Sequence, residues 1–153
     1  MTFLCEIELD ESALPAASHE LEQERRVAIF DLRECNHFEV KEAPTGPYTL
    51  RLGSAEGRIV FDWRAADGQH GSFRLSLGSL AQAVKDYRTL CDTYVEAVRA
   101  LPPARIEEID AARREIHIEA AQQLRDRLSA HVSLDEATAR RLFTLICAIT
   151  GPA

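Results

Sequence analysis

With 153 residues, 46% of them hydrophobic and 28% charged, the chain is long enough to bury a core without disulfides or metals, and one domain over residues 1–153 is expected. A formal net charge of −7 argues against a sequence-independent nucleic-acid binder, which needs a phosphate-neutralising basic surface. No apolar run approaches a membrane span, and MTFLCEIELDES at the amino terminus lacks the basic and apolar regions of a signal peptide, so a cytoplasmic location is expected.

In chain order, residues 3–9 alternate, with Phe3, Cys5, Ile7 and Leu9 on one side and Leu4, Glu6 and Glu8 on the other. This is the period of a half-buried strand. A turn-rich stretch follows. Ser18 then suits the N-cap of a helix running to about residue 35, with Leu21, Ala28, Leu32 and Cys35 on one face. Val27, Ile29 and Phe30 point elsewhere, so this helix is either covered on several sides or offers an apolar surface to a partner.

After PTGP come three alternating runs, carrying Tyr48, Leu50 and Leu52, then Ile59, Phe61 and Trp63, then Phe73, Leu75 and Leu77. They read as a β-meander. Their connections hold Gly57 and Asp67-Gly68, residues that tolerate the positive φ of hairpin loops. Ser79 and Gln82 have capping-box spacing before an amphipathic helix of Leu80, Val84, Tyr87, Cys91, Tyr94, Val95 and Val98. Pro102-Pro103 ends it, and Pro103 suits the first turn of the next helix. Ser133 and Glu136 are spaced as a second capping box, opening a last helix whose final turns are apolar nearly all round. Such a helix must be well buried or pack on a second chain.

The expected fold is therefore α+β: an antiparallel β-meander of three or four strands, helices on its apolar face, and three consecutive helices at the carboxyl end. The first strand is the candidate fourth member. The four cysteines, Cys5, Cys35, Cys91 and Cys147, form no CxxC pair and each falls on a predicted apolar face. They read as buried thiols in a reducing compartment.

Two groups of residues are candidate sites. In the helix over residues 106–128, Ile106, Ile109, Ile116, Ala120, Leu124 and Leu128 form an apolar stripe, and Asp110, Arg113 and His117 fall inside it. Steps of three and four residues, which also bring in Arg114 from Asp110, allow side-chain contact. Partial burial beside arginine pushes an imidazole towards its neutral form, able to act as a base while an arginine holds an anion. A structural network between helices is the plainer reading. The second candidate is an anion face of Arg51, Arg58, Arg64 and Arg74 on the wet side of the meander. Its aromatics point inward, so no base-stacking platform accompanies it and nucleic acid is not an expected partner.

No metal is expected, since His117 and Glu119 diverge on a helix and no zinc spacing occurs. No PCxxC follows HIE, which removes the deaminase signature. Walker A, GxGxxG and GxSxG motifs are absent from the sequence, so no cofactor is expected and an enzyme has little support.

The segments ERRVAIFDLRECN, GPYTLRLGSAEGRIVFDWRAADG, LSLGSLAQAVKDY, PARIEEIDAARREIHIEA and TARRLFTLICAI together resemble the alphaproteobacterial Uncharacterised Protein Family 0262 over nearly the whole chain. That resemblance implies short single-domain proteins with no assigned activity, cofactor or partner. It also implies asparagine, glycine and serine after the histidine where this chain has Ile118, Ala120 and Ala121, so a polar site around His117 would be reduced. The leading expectation is a protein-interaction or regulatory module that self-associates, its partner a second copy or another protein. The alternative is an anionic-ligand binder or enzyme using Asp110, Arg113 and His117.

Overall fold

Alternation of apolar side chains builds the sheet of this computed structural model, which describes residues 2–10 and 19–150. Ser18, the expected helix cap, lies outside them. The strands of the main sheet are β1 (Leu4–Leu9), β3 (Tyr48–Ala55), β4 (Arg58–Ala65) and β5 (His70–Ser76), in the order β1-β3-β4-β5. β3, β4 and β5 form the expected meander. Glu56 and Gly57, both at positive φ, make the first hairpin loop between the paired residues Ala55 and Arg58. Gly68 takes positive φ in the second. Trp63 stands opposite Gly71, where a Cβ would lie 2.7 Å from the indole. Only glycine lets the ring lie across the neighbouring strand there.

β1 does join the sheet, but parallel to β3, so the sheet is mixed rather than a pure antiparallel meander. Its two faces also differ from simple alternation. The register shifts between Leu4 and Glu6, so Leu4 and Ile7 are buried while Cys5 is exposed. A bulge changes which side chains face inward. Cys35 is exposed as well, leaving only Cys91 and Cys147 as buried thiols.

Between β1 and β3 lie α1 (His19–Glu34) and the short β2 (Phe38–Val40). β2 pairs antiparallel with β6 (Val132–Leu134), burying Phe38, Val40, Val132 and Leu134. This second sheet was not expected, because three residues are too few for a period of two to register. Asn36 fixes the end of α1 against β1, accepting from the Leu4 N–H at 2.6 Å and donating to the Leu4 carbonyl at 2.8 Å.

α2 (Leu80–Ala100) and α3 (Pro103–Leu128) form a helical hairpin. Pro102 is the extended cap and Pro103 opens α3, where a missing N–H costs nothing. Neither expected capping box forms. Ser79 makes no cap bond and instead donates to Gln123 at 3.4 Å. Ser133 belongs to β6, and Asp135 caps α4 (Glu136–Ile149) by accepting from the Thr138 N–H at 2.9 Å. The stripe of α2 runs out of the core at its far end, where Val98 is 54% exposed.

α4 is the central helix, packed against α1, α2, α3 and β3. Residues 142–150 are all buried, and each large apolar side chain among them contributes about 1.5–3 kcal/mol by leaving water. The chain itself covers the apolar end of this helix. Its all-round hydrophobicity therefore no longer argues for a second copy.

Candidate functional site

The polar residues of α3 divide into two groups. Arg113, whose side chain is 14% exposed, donates to Asp110 at 2.8 Å and to Glu24 of α1 at 3.2 Å. Its guanidinium carbon also lies 4.3 Å from the centroid of the Tyr94 ring. Asp110 is shared with Arg114, 3.3 Å away and largely exposed. Glu24 further accepts the Tyr87 hydroxyl at 2.5 Å and the Cys91 thiol at 3.8 Å. Thus an acid on α1, a cation on α3 and a phenol and thiol on α2 meet in one knot. Burial and the nearby Glu24 charge push the Cys91 thiol up to about 12 and the Tyr87 phenol upward too. Both remain protonated donors.

His117 takes no part in that knot. Its Nε2 lies 2.8 Å from the Thr144 hydroxyl on α4. The ring stacks on Tyr87 with centroids 5.1 Å apart and meets Phe143 at 5.7 Å. Burial lowers its pKa to about 4, helped by the charges of Arg140 and Arg113 and opposed by a hydrogen bond to the Arg140 backbone. The imidazole is neutral at physiological pH, as the sequence pattern led one to expect.

Beside His117 opens a cleft of about 480 Å³ between α1 and α4, within the range that holds small-molecule ligands. Gln23, Glu24, Val27 and Asp31 line it from α1; Arg140, Arg141 and Thr144 line it from α4; Tyr87 and His117 border it from α2 and α3. Asp110, Arg113 and Arg114 do not line it. Ile118, Ala120 and Ala121 do not line it either, so those positions leave its wall untouched.

The charges of the cleft are unequally committed. Glu24 is held by Arg113, and Asp31 lies 3.8 Å from Arg141, which also donates to the Cys35 carbonyl at 3.3 Å. The Arg140 guanidinium has no hydrogen bond or ion pair among the described residues, although the side chain is only partly exposed. Sequence reasoning missed Glu24 and Arg140. Glu24 was detectable: it sits beside Leu21 and Ala28 on the inward arc of α1, the same polar-within-apolar signal that marked α3.

The second candidate does not converge. Arg51, Arg58, Arg64 and Arg74 are all exposed, but the register spreads them over three strands and sets Arg51 opposite Asp62. Arg51 also lies 3.6 Å from Asp10. Among the described residues, no group of three or more His, Cys, Asp or Glu is placed to hold a metal, and no helix is long and apolar enough to cross a membrane.

Comparison with known proteins places the chain among relatives of matching length. It is similar to a UPF0262 protein of Paracoccus denitrificans, 52% identical over 152 residues that cover 95% of this chain and 94% of the relative. It is also similar to a UPF0262 protein of Jannaschia sp., 51% identical over 97% of each chain, and to one of Dinoroseobacter shibae, 48% identical over 97% of this chain and 98% of the relative. No solved structure matches. The uncharacterised protein family UPF0262 matches residues 1–151, and the chain belongs to that family.

Proposed function

We propose that this protein binds a small anionic molecule in the cleft between α1 and α4. The uncommitted Arg140 guanidinium carries this reading, because it faces a ligand-sized space whose other charges already have partners. An arginine offers a planar fork to carboxylate or phosphate. Val27, Ala28 and Ala137 give the same cleft apolar wall for the rest of a ligand. The knot around Glu24 acts as scaffold, holding α1 at a fixed distance from α3 and so keeping the cleft open.

Scanning calorimetry against a panel of phosphate monoesters and aryl carboxylates tests this. A true ligand at about 100-fold above its Kd raises the wild-type Tm by on the order of 5 °C. Arg140→Ala should keep the ligand-free Tm and lose at least about tenfold in affinity, as expected for removing a charge-assisted bond. A full shift in the variant would refute the assignment.

A second reading, self-association, is favoured by Val27 and Phe30, which are 48% and 62% exposed on α1. Large exposed apolar side chains side by side on a helix are the usual core of a contact between copies. Light scattering at high concentration should then show a dimer that Phe30→Asp dissociates. A wild type that stays strictly monomeric would remove this reading.

A further inference from the structure

The two nitrogens of His117 have different duties. Nε2 meets Thr144 Oγ1 at 2.8 Å, while the Thr144 hydroxyl donates to the Arg140 carbonyl at 3.3 Å. With the Thr144 hydrogen directed at that carbonyl, Thr144 Oγ1 accepts from the ring, which assigns the single proton of the neutral imidazole to Nε2. Nδ1 is left with a free lone pair.

The side-chain partner of the ring among the described residues is Thr144, and it is met by Nε2. His117 is one of the residues that line the cleft, and with Nε2 turned to Thr144 on α4 Nδ1 is the ring nitrogen left for a ligand there. Asp31, whose distance to Arg141 is 3.8 Å, adds further acceptor capacity to the same wall. Cation and acceptors together are complementary to a ligand that has both an anion and a donor.

Building on the anion-binding reading, we propose that the ligand is an oxyanion that also carries a hydroxyl or N–H group, which donates to Nδ1 of His117. A bare anion satisfies Arg140 and leaves Nδ1 unpaired once water is displaced. A hydroxylated one satisfies both. Because burial keeps the ring neutral, the acceptor persists throughout the physiological pH range.

The test uses 3-phenyllactate and 3-phenylpropionate, which share a carboxylate and an aromatic ring and differ by one hydroxyl. Calorimetric titration of the wild type should give phenyllactate an affinity at least about tenfold higher, the usual discrimination by a site with an unpaired polar group. His117→Gln keeps a donor for Thr144 and moves the acceptor from the Nδ1 position to an amide oxygen one bond from that donor, so the affinity ratio should fall towards one. In wild-type protein with ¹⁵N-labelled histidine, Nδ1 of His117 should resonate as the unprotonated nitrogen and shift on adding phenyllactate. Equal affinities, with both ligands weakened by Arg140→Ala, would overturn the donor requirement and leave the anion cleft standing. A preference that survives in His117→Gln would also overturn it. Binding of neither compound, with the His117 resonances unmoved, would overturn both readings.

Discussion

Arg113→Ala is expected to destabilise the fold by about 3 kcal/mol, the cost of breaking a largely buried ion pair by removing one partner. Arg113 and Glu24 are 14% and 20% exposed, and the pair lies 3.2 Å apart. Without the guanidinium, the Glu24 carboxylate loses its ion pair with Arg113 while it still accepts from the Tyr87 hydroxyl and the Cys91 thiol. The stacked contact with Tyr94 is lost at the same time. For a chain of this length, the loss corresponds to a Tm lower by on the order of 10 °C. Arg114→Ala is the control, since Arg114 contacts the same Asp110 but is 70% exposed. It should change stability by no more than about 0.5 kcal/mol. Adding Glu24→Gln to Arg113→Ala should restore part of the loss, because part of the penalty lies in a partly buried carboxylate that has lost the Arg113 charge. Urea unfolding of the four proteins decides it. Similar losses for Arg113→Ala and Arg114→Ala would show that burial does not separate the two cations.

The second large effect depends on pH. His117 has a folded pKa of about 4 against about 6.5 when unfolded. Between these values the unfolded chain takes up a proton that the folded chain refuses, so falling pH favours unfolding. The contribution of neutral His117 is complete above about pH 6.5, declines as pH falls, and reaches a loss of about 3 kcal/mol by pH 4. Glu6 and Glu22 act in a different window. Hydrogen bonds from Arg33 and Arg25 hold their pKa values below the usual carboxylate range. Their stabilisation is present above about pH 4.5 and lost below it. Unfolding curves of wild type and His117→Gln between pH 7 and pH 4.5 separate His117 from the other histidines. The variant should show a markedly flatter dependence, and an unchanged slope would contradict the neutral, buried imidazole.

The contrast between α3 and α1 shows what the sequence made legible. Asp110, Arg113 and His117 were found because one helix carries them at spacings that fix their mutual reach. Their actual partners lie on other helices: Glu24 for Arg113 and Thr144 for His117. Periodicity states which side of a helix faces inward, but not which neighbour it faces. The expected trio therefore splits into a structural knot and a residue lining the cleft. Arg140 was invisible for a related reason, since an arginine in a long helix looks solvated until a cleft opens beside it.

The meander was readable because eight-residue strands with glycine-bearing turns leave a strong period. β2 and β6, of three residues each, leave none. The bulge in β1 reassigns Leu4 to the core and Cys5 to solvent, a change that alternation alone cannot register. For α4 the sequence left two alternatives, burial or a second chain. Packing against all three other helices and β3 selects burial.

The cleft is the centre of this account, and an amide and arginine-Nε NMR titration of ¹⁵N-labelled protein with 3-phenyllactate tests it most directly. Shifts should concentrate at Gln23, Asp31, His117, Arg140 and Thr144, and disappear in Arg140→Ala. Shifts centred on Arg51, Arg58, Arg64 and Arg74, or shifts in the cleft that persist unchanged in Arg140→Ala, would contradict it.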